Sequence, residues 1–193
     1  MKPTLIIMLK LPQAGRVKTR LGRDMGMVAA AWWYRHHATR LIRRLRDPRW
    51  RTVLAVAPDN AVPARIWPAD LSRIPQGHGD LGQRMARMLR TAAPGPVCLI
   101  GADIPDISPA HIARAFTMLG DHDAAFGPAL DGGYWLIGLK HPQRQPPGLF
   151  TNVRWSSEHA LHDSMATLPG YRIALTDPLR DVDTIADLTK STT

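Results

Sequence analysis

A chain of 193 residues, 45% hydrophobic and 21% charged, has an ordinary soluble globular composition with room for one substantial core, and two domains would be small. Its formal net charge of +9 favours anionic partners, a nucleotide phosphate or a nucleic acid alike. The single cysteine, Cys98, excludes an internal disulfide and suits a reducing cytoplasm, and the apolar opening from Leu5 to Leu9 is too short for a membrane span and lacks a signal-peptide cleavage pattern.

Thr4 to Leu9 reads as the first strand, followed by a basic loop from Lys10 to Gly22 in which Pro12 and Gly15 oppose early helix formation. A helix is expected from near Met25 to Leu45, with Ala29, Trp32, Trp33, Leu41, Ile42 and Leu45 on its buried stripe. Thr52 to Ala57 is a second strand, Ala64 to Leu71 a short helix, and Ile74 the end of a short strand. Helical periodicity returns from Leu81 to Thr91. Val97 to Ile100 is a continuous apolar run, as in a strand covered on both faces at the centre of a parallel sheet.

Ser108-Pro109 pairs an N-cap with proline at the first helical position and opens a helix to Leu119. Asp123 to Phe126 and Tyr134 to Leu139 are strands too close together for a helical crossover, so an antiparallel pairing is expected. His141 to Gly148 holds three prolines and reads as a variable surface loop. Ser157 to Leu168 is a helix, Tyr171 to Leu175 a strand, and Thr184 with Asp187 matches a capping box for a last helix. Strands alternating with helices predict an α/β fold with a mainly parallel sheet covered on both faces, and no linker or repeat divides residues 1–193.

Asp103 follows where the central strand ends, the edge at which open α/β sheets bind ligands, so it either serves a metal or a ribose or merely caps a turn. The stretch KLPQAGRVKTRL, with Lys10, Gly15, Lys18 and Arg20, offers backbone N–H groups and several cations to a polyphosphate; it lacks the Walker A spacing. In GDLGQRM, Gly79 leaves room for a flat ring, and Asp80 either accepts from a ribose hydroxyl or caps the helix that begins at Leu81. Asp131, Gly132, Gly133 and Tyr134 form either a tight turn or a pocket wall for an acceptor. Asp181 and Asp183 alternate in an extended segment, so only one of them is expected to join Asp103 at a shared hard cation such as magnesium. His36 and His37 lack partners at zinc-ligand spacing, and Arg40, Arg43, Arg44 and Arg46 read as a solvated helix face.

Together KLPQAGRVKTRL, GDLGQRM, GADIP, DGGYWLIGL, VRWSS and DVDTIADL resemble the bacterial selenodomain-associated, glycosyltransferase-A-like transferases, relatives of the molybdenum cofactor and phospholactate guanylyltransferases. The resemblance spans nearly the whole chain. It implies a three-layer α/β/α sandwich with a mixed, mainly parallel sheet of the nucleotide-diphospho-sugar transferase (GT-A) type. It puts Gly15, Lys18 and Arg20 around nucleotide phosphates, Gly79, Asp80 and Leu81 near the nucleoside, Asp103 with Asp183 or Asp181 on Mg2+ or Mn2+, and Asp131 to Tyr134 on the acceptor side. The chain departs from the family's pattern at Met8, where phenylalanine is usual. The expectation is a cytoplasmic, metal-dependent transferase taking a nucleoside triphosphate or nucleotide sugar and passing a nucleotidyl or glycosyl group to a small acceptor. In the glycosyl version Asp131 is the candidate base. A non-catalytic nucleotide-binding or protein-interaction domain on the same fold is the alternative, and nucleic acid is a weaker partner because no recognised motif for it is present.

Overall fold

The computed structural model describes residues 1–180. Seven strands, β1 (Thr4–Lys10), β2 (Arg51–Ala57), β3 (Ser72–Pro75), β4 (Val97–Ile100), β5 (Ala124–Pro128), β6 (Tyr134–Leu139) and β7 (Ile173–Leu175), form one sheet in the order β3-β2-β1-β4-β6-β5-β7. The pairs β1–β2, β1–β4, β2–β3 and β5–β7 are parallel, whereas β6 runs antiparallel to both β4 and β5. The sheet is therefore mixed and mainly parallel, as the sequence predicts.

Side-chain alternation along the strands divides the core into two layers. Leu5, Ile7 and Leu9 of β1 and Cys98 and Ile100 of β4 face one side, covered by α2 (Met27–Arg44) and α4 (Pro109–Asp121). Ile6, Val97 and Leu99 face the other, covered by α3 (Leu81–Thr91) and α5 (Ala160–Ala166). All four residues of β4 are buried, so this strand is the centre of both layers. Cys98 is fully buried, and loss of solvation pushes its thiol far above the usual range. Native protein is expected to resist alkylation at Cys98 and to react once unfolded; rapid labelling of the folded chain by iodoacetamide is the contrary result.

Four local expectations are corrected. The basic loop after β1 is shorter than predicted, because α1 (Thr19–Met25) begins within it and the chain breaks at Gly26, whose φ is 92°. Residues 64–71 are not helical: Pro63 and Pro68 interrupt the segment, the Trp67 indole donates to the Ala61 carbonyl, and the Arg73 guanidinium donates to the carbonyls of Val62 and Ala64. The helix expected from Ser157 starts only at Ala160. The proline-rich segment 141–148 is pinned to the body, since Gln145 is buried with its amide donating to the Ala86 carbonyl, and the Tyr171 hydroxyl donates to Arg144. The last predicted helix, with Thr184 and Asp187, lies outside the described residues.

Candidate active site

A cavity of about 790 Å³ opens at the carboxyl ends of β1 and β4. Its walls include Lys10, Lys18, Arg20 and Arg84 on one side and Asp131, Tyr134, Trp155 and Glu158 on the other, with Asp103 between. That volume is in the range of a small-molecule site. A second hollow of about 470 Å³, lined among others by Gln13, Arg16, Asp59 and His78, shares Lys10 and Arg84 with the first.

Lys18 sits in the left-handed region, φ 46° and ψ 46°, which a non-glycine residue adopts at a cost of about 1 kcal/mol or more. Its side chain is only 6% exposed, and its Nζ lies 3.2 Å from Asp103 Oδ1; the Asp103 side chain is 54% exposed. Strained backbone thus delivers a buried ammonium to a carboxylate that still faces solvent. Arg20, on α1, lines the same wall. Gly15 takes φ +76° in open space, which makes it a turn residue at the base of this loop and not part of the large cavity's wall.

The strand ends are fastened from below. Gln76 is buried, and its amide nitrogen donates to the carbonyls of Leu9 at 3.0 Å and Ala55 at 2.9 Å. Of the predicted nucleoside group only Leu81 reaches the large cavity. Asp80 caps α3 in a reciprocal capping box with Gln83, and the Arg84 Nε donates to the Gly79 carbonyl. The capping reading of Asp80 is therefore met, and Asp80→Ala is expected to lower stability by about 1 kcal/mol, measured by denaturant melts, with the Glu variant recovering little.

Residues 129–133 form a tight turn between β5 and β6, in which the Gly133 N–H donates to Asp131 Oδ1 at 2.9 Å, and Asp131 lines the cavity. Gly132 has φ +84°, and a Cβ there would stand 2.4 Å from the Glu158 backbone, so only glycine lets the turn lie against that segment. Leu161 N–H donates to the Gly132 carbonyl and completes the contact. The Tyr134 ring packs on Phe126 and Trp155, while its hydroxyl accepts from Ser164; burial raises its pKa far above the usual value. Tyr134 thus offers the cavity ring surface, and its hydroxyl is engaged elsewhere. The VRWSS stretch forms the adjoining wall: Arg154 is bidentate to Asp163, whose carboxyl that contact holds well below the usual range, and Phe150, Asn152 and Ser156 all adopt positive φ.

Among the described residues no group of three or more His, Cys, Asp or Glu side chains gathers around a metal-sized site. Asp181 and Asp183 lie outside the described residues. Asp103 nonetheless fits a hard cation, because magnesium is commonly held by one or two carboxylates together with substrate phosphates and water. Sequence reading gave no site role to Tyr34 on α2, which lines the cavity and whose hydroxyl oxygen accepts from the Lys10 N–H; its one trace was a polar ring on an otherwise apolar stripe. Arg84, Trp155 and Glu158 were likewise unassigned, although the first and second lie in quoted motifs.

Residues 41–157 match the model of a family described as "Uncharacterized protein conserved in bacteria (DUF2064)". The chain belongs to this family. A crystal structure of a candidate nucleotide-diphospho-sugar transferase from Desulfovibrio desulfuricans G20 is 30% identical, with 97% of this chain and 84% of that one covered and a TM-score of 0.85. The 4-diphosphocytidyl-2C-methyl-D-erythritol synthase of Anaerococcus prevotii DSM 20548 shares the fold at 9% identity, 97% and 95% coverage and a TM-score of 0.61. So does Rv0371c of Mycobacterium tuberculosis H37Rv in complex with manganese, at 15% identity, 98% and 97% coverage and a TM-score of 0.55. No curated protein matches the sequence. The DUF2064 chain described here therefore has the nucleotide-diphospho-sugar transferase fold, and none of its described helices is long and apolar enough to cross a membrane.

Proposed function

We propose that this DUF2064 protein is a divalent-metal-dependent transferase, acting as one domain over residues 1–193 in the cytoplasm, that binds a nucleoside triphosphate or nucleotide sugar and hands its nucleotidyl or glycosyl group to a small acceptor. The observation that supports it most directly is the 3.2 Å approach of buried Lys18 to half-exposed Asp103 in the wall of the large cavity. A polyanion entering this wall meets Lys10, Lys18 and Arg20 at once, so charge developing on its leaving phosphates is met by cations already in place. Asp103, with Asp183 or Asp181 as the second carboxylate, would hold Mg2+ or Mn2+. Held there, the cation would supply Lewis-acid stabilisation of the negative charge that develops on the leaving phosphates.

Leu81, with Gly79 and Asp80 at the head of α3, flanks the proposed nucleoside side, and Gly15 turns the phosphate loop. On the other wall the unengaged oxygen of Asp131 serves as base if the acceptor attacks through a hydroxyl, and Gly132, Gly133 and Tyr134 give it a surface to lie on. An acceptor phosphate would need no such base. The same reading takes in the resemblance to selenodomain-associated transferases. Incubation with each nucleotide or nucleotide sugar, magnesium and a panel of alcohols, sugars and phosphates is expected to release pyrophosphate in the nucleotidyl version or nucleoside diphosphate in the glycosyl version. Failure to bind any of these nucleotides in calorimetry, with or without Mg2+ or Mn2+, overturns the reading. Tight binding with no turnover and no response to changing Asp103 supports a non-catalytic nucleotide-binding domain instead.

A further inference from the structure

Charge in the large cavity is divided across the sheet. Among the described residues its cations, Lys10, Lys18, Arg20 and Arg84, come from the end of β1, the loop and helix after it, and α3. Its carboxylates come from the other direction: Asp103 follows β4, Asp131 lies in the turn between β5 and β6, and Glu158 precedes α5. The VRWSS stretch carries one cation, Arg154, and that guanidinium is spent on Asp163 outside the lining.

This far wall is built from segments distant in sequence. The contact of Gly132 with the Glu158 backbone, closed by the Leu161 N–H on the Gly132 carbonyl, sets Asp131 one residue away from Glu158. The Glu158 side chain is 81% exposed, with its Oε1 3.7 Å from the His159 imidazole, which does not line the cavity. Between this pair and α3 stands the Trp155 ring. A Cβ at Gly82 would lie 3.0 Å from Trp155 Cζ2, so the bare first turn of α3 receives the indole. Phe150 and Tyr134 hold it from two further sides, their ring centres 6.0 and 6.3 Å away. Two carboxylates and two braced rings thus share one surface, and no ammonium or guanidinium lines it among the described residues.

An ionised carboxylate only accepts hydrogen bonds, so such a wall suits a partner rich in donors. A phosphate ester brings acceptors and negative charge, and both are refused here. Aromatic faces add a flat apolar surface for the C–H face of a ring or a short carbon chain. We propose that the wall formed by Asp131, Tyr134, Trp155 and Glu158 takes the acceptor, and that this acceptor is a hydroxyl-rich compound without a phosphate group, a sugar or polyol. The proposal rests on the transferase reading and narrows it.

The test measures binding by ligand-observed NMR for two matched pairs, glucose with glucose 6-phosphate and glycerol with glycerol 3-phosphate. A nucleoside triphosphate and Mg2+ are present at saturation, so that the cationic wall is occupied. The uncharged member of each pair is expected to bind about tenfold more tightly than its phosphate ester. Glu158→Lys, at an exposed side chain, is expected to weaken the uncharged members and to strengthen the esters by about tenfold each. Trp155→Ala is expected to weaken the uncharged members alone. Esters that bind wild type as tightly as their uncharged partners overturn the proposal, as does binding of glucose or glycerol that neither variant alters, or no binding by either. Calorimetry with the nucleotide alone judges the transferase reading separately. If no nucleotide binds, that reading falls and the wall is judged by glucose and glycerol: binding weakened by Glu158→Lys supports it, and binding that is absent or unaltered overturns it.

Discussion

Asp103→Asn is expected to lower turnover by ~10³-fold while leaving metal-free nucleotide binding intact or somewhat tighter. The amide keeps the size of the side chain but removes the only charge that the end of β4 brings to the cavity wall. On the proposed reading, a hard cation would lose an anionic ligand and the phosphates would lose a repelling neighbour. Metal stimulation of binding should therefore vanish, even as the triphosphate alone binds through Lys10, Lys18 and Arg20. Removing this counter-ion also leaves buried Lys18 with less compensation in the empty protein. Because Asp103 is half exposed, solvent screens the pair, and the loss should be on the order of 1 kcal/mol. Added nucleotide should restore the melting temperature by supplying negative charge in its place. Paired calorimetry and turnover assays check this, and turnover within tenfold of wild type removes Asp103 from the reaction.

The largest loss of stability is expected from Gly132→Ala. The new methyl would lie 2.4 Å from both the Cα and the carbonyl oxygen of Glu158, and neither is the end of a flexible side chain. The position also has φ +84°, a conformation that alanine adopts at a cost. Overpacking and backbone strain together should cost about 3 kcal/mol. For a chain of this length that amounts to a fall of roughly 6–12 °C in melting temperature. Gly15→Ala is the control, since φ is +76° there but nothing lies within 4 Å, and it should lose only ~1 kcal/mol. Equal losses at the two positions would mean that the contact with Glu158 is unimportant. The displaced turn should also shift the wall made by Trp155 and Glu158, raising the KM for the acceptor more than that for the nucleotide.

Most of the sheet was legible because its signal is local. The unbroken apolar runs of β1 and β4 each specify burial within a few residues, and the short span between β5 and β6 forces them antiparallel. Caps were equally readable: Asp80 and Ser108 each hydrogen-bond a backbone N–H three residues on, and both helices begin where expected. The misreadings share a cause, which is partners distant in sequence. The carbonyls of Ala61, Val62 and Ala64 are satisfied by Trp67 and Arg73, so the segment needs no helix. Gly132 is required by Glu158, and Gln145 is held by Ala86, neither of which a local pattern reveals.

The site divides in the same way. Asp103 stood out as a charge at the end of an apolar strand and Lys18 as one of several cations in the loop after β1, and the parallel pairing of β1 with β4 puts that loop and that strand end side by side. Tyr34 stayed hidden, because its hydroxyl oxygen meets the Lys10 N–H only once α2 lies across the end of β1. Asp131 faces the cavity as its motif suggested, whereas Tyr134 turns its hydroxyl to Ser164, a partner that no feature of DGGYW betrays.

Reversal of β6 has a consequence for how such a protein diversifies. Because this strand enters the sheet from the opposite direction, the tip joining it to β5 reaches the cavity that Asp103 also lines with no helix to traverse. Insertions or deletions at residues 129–131 would thus remodel the chamber's far rim while leaving Lys18, Asp103 and the parallel half of the sheet untouched. Chains of this kind could reshape one wall of the chamber by altering a hairpin's length, with the half that carries Lys18 and Asp103 inherited whole.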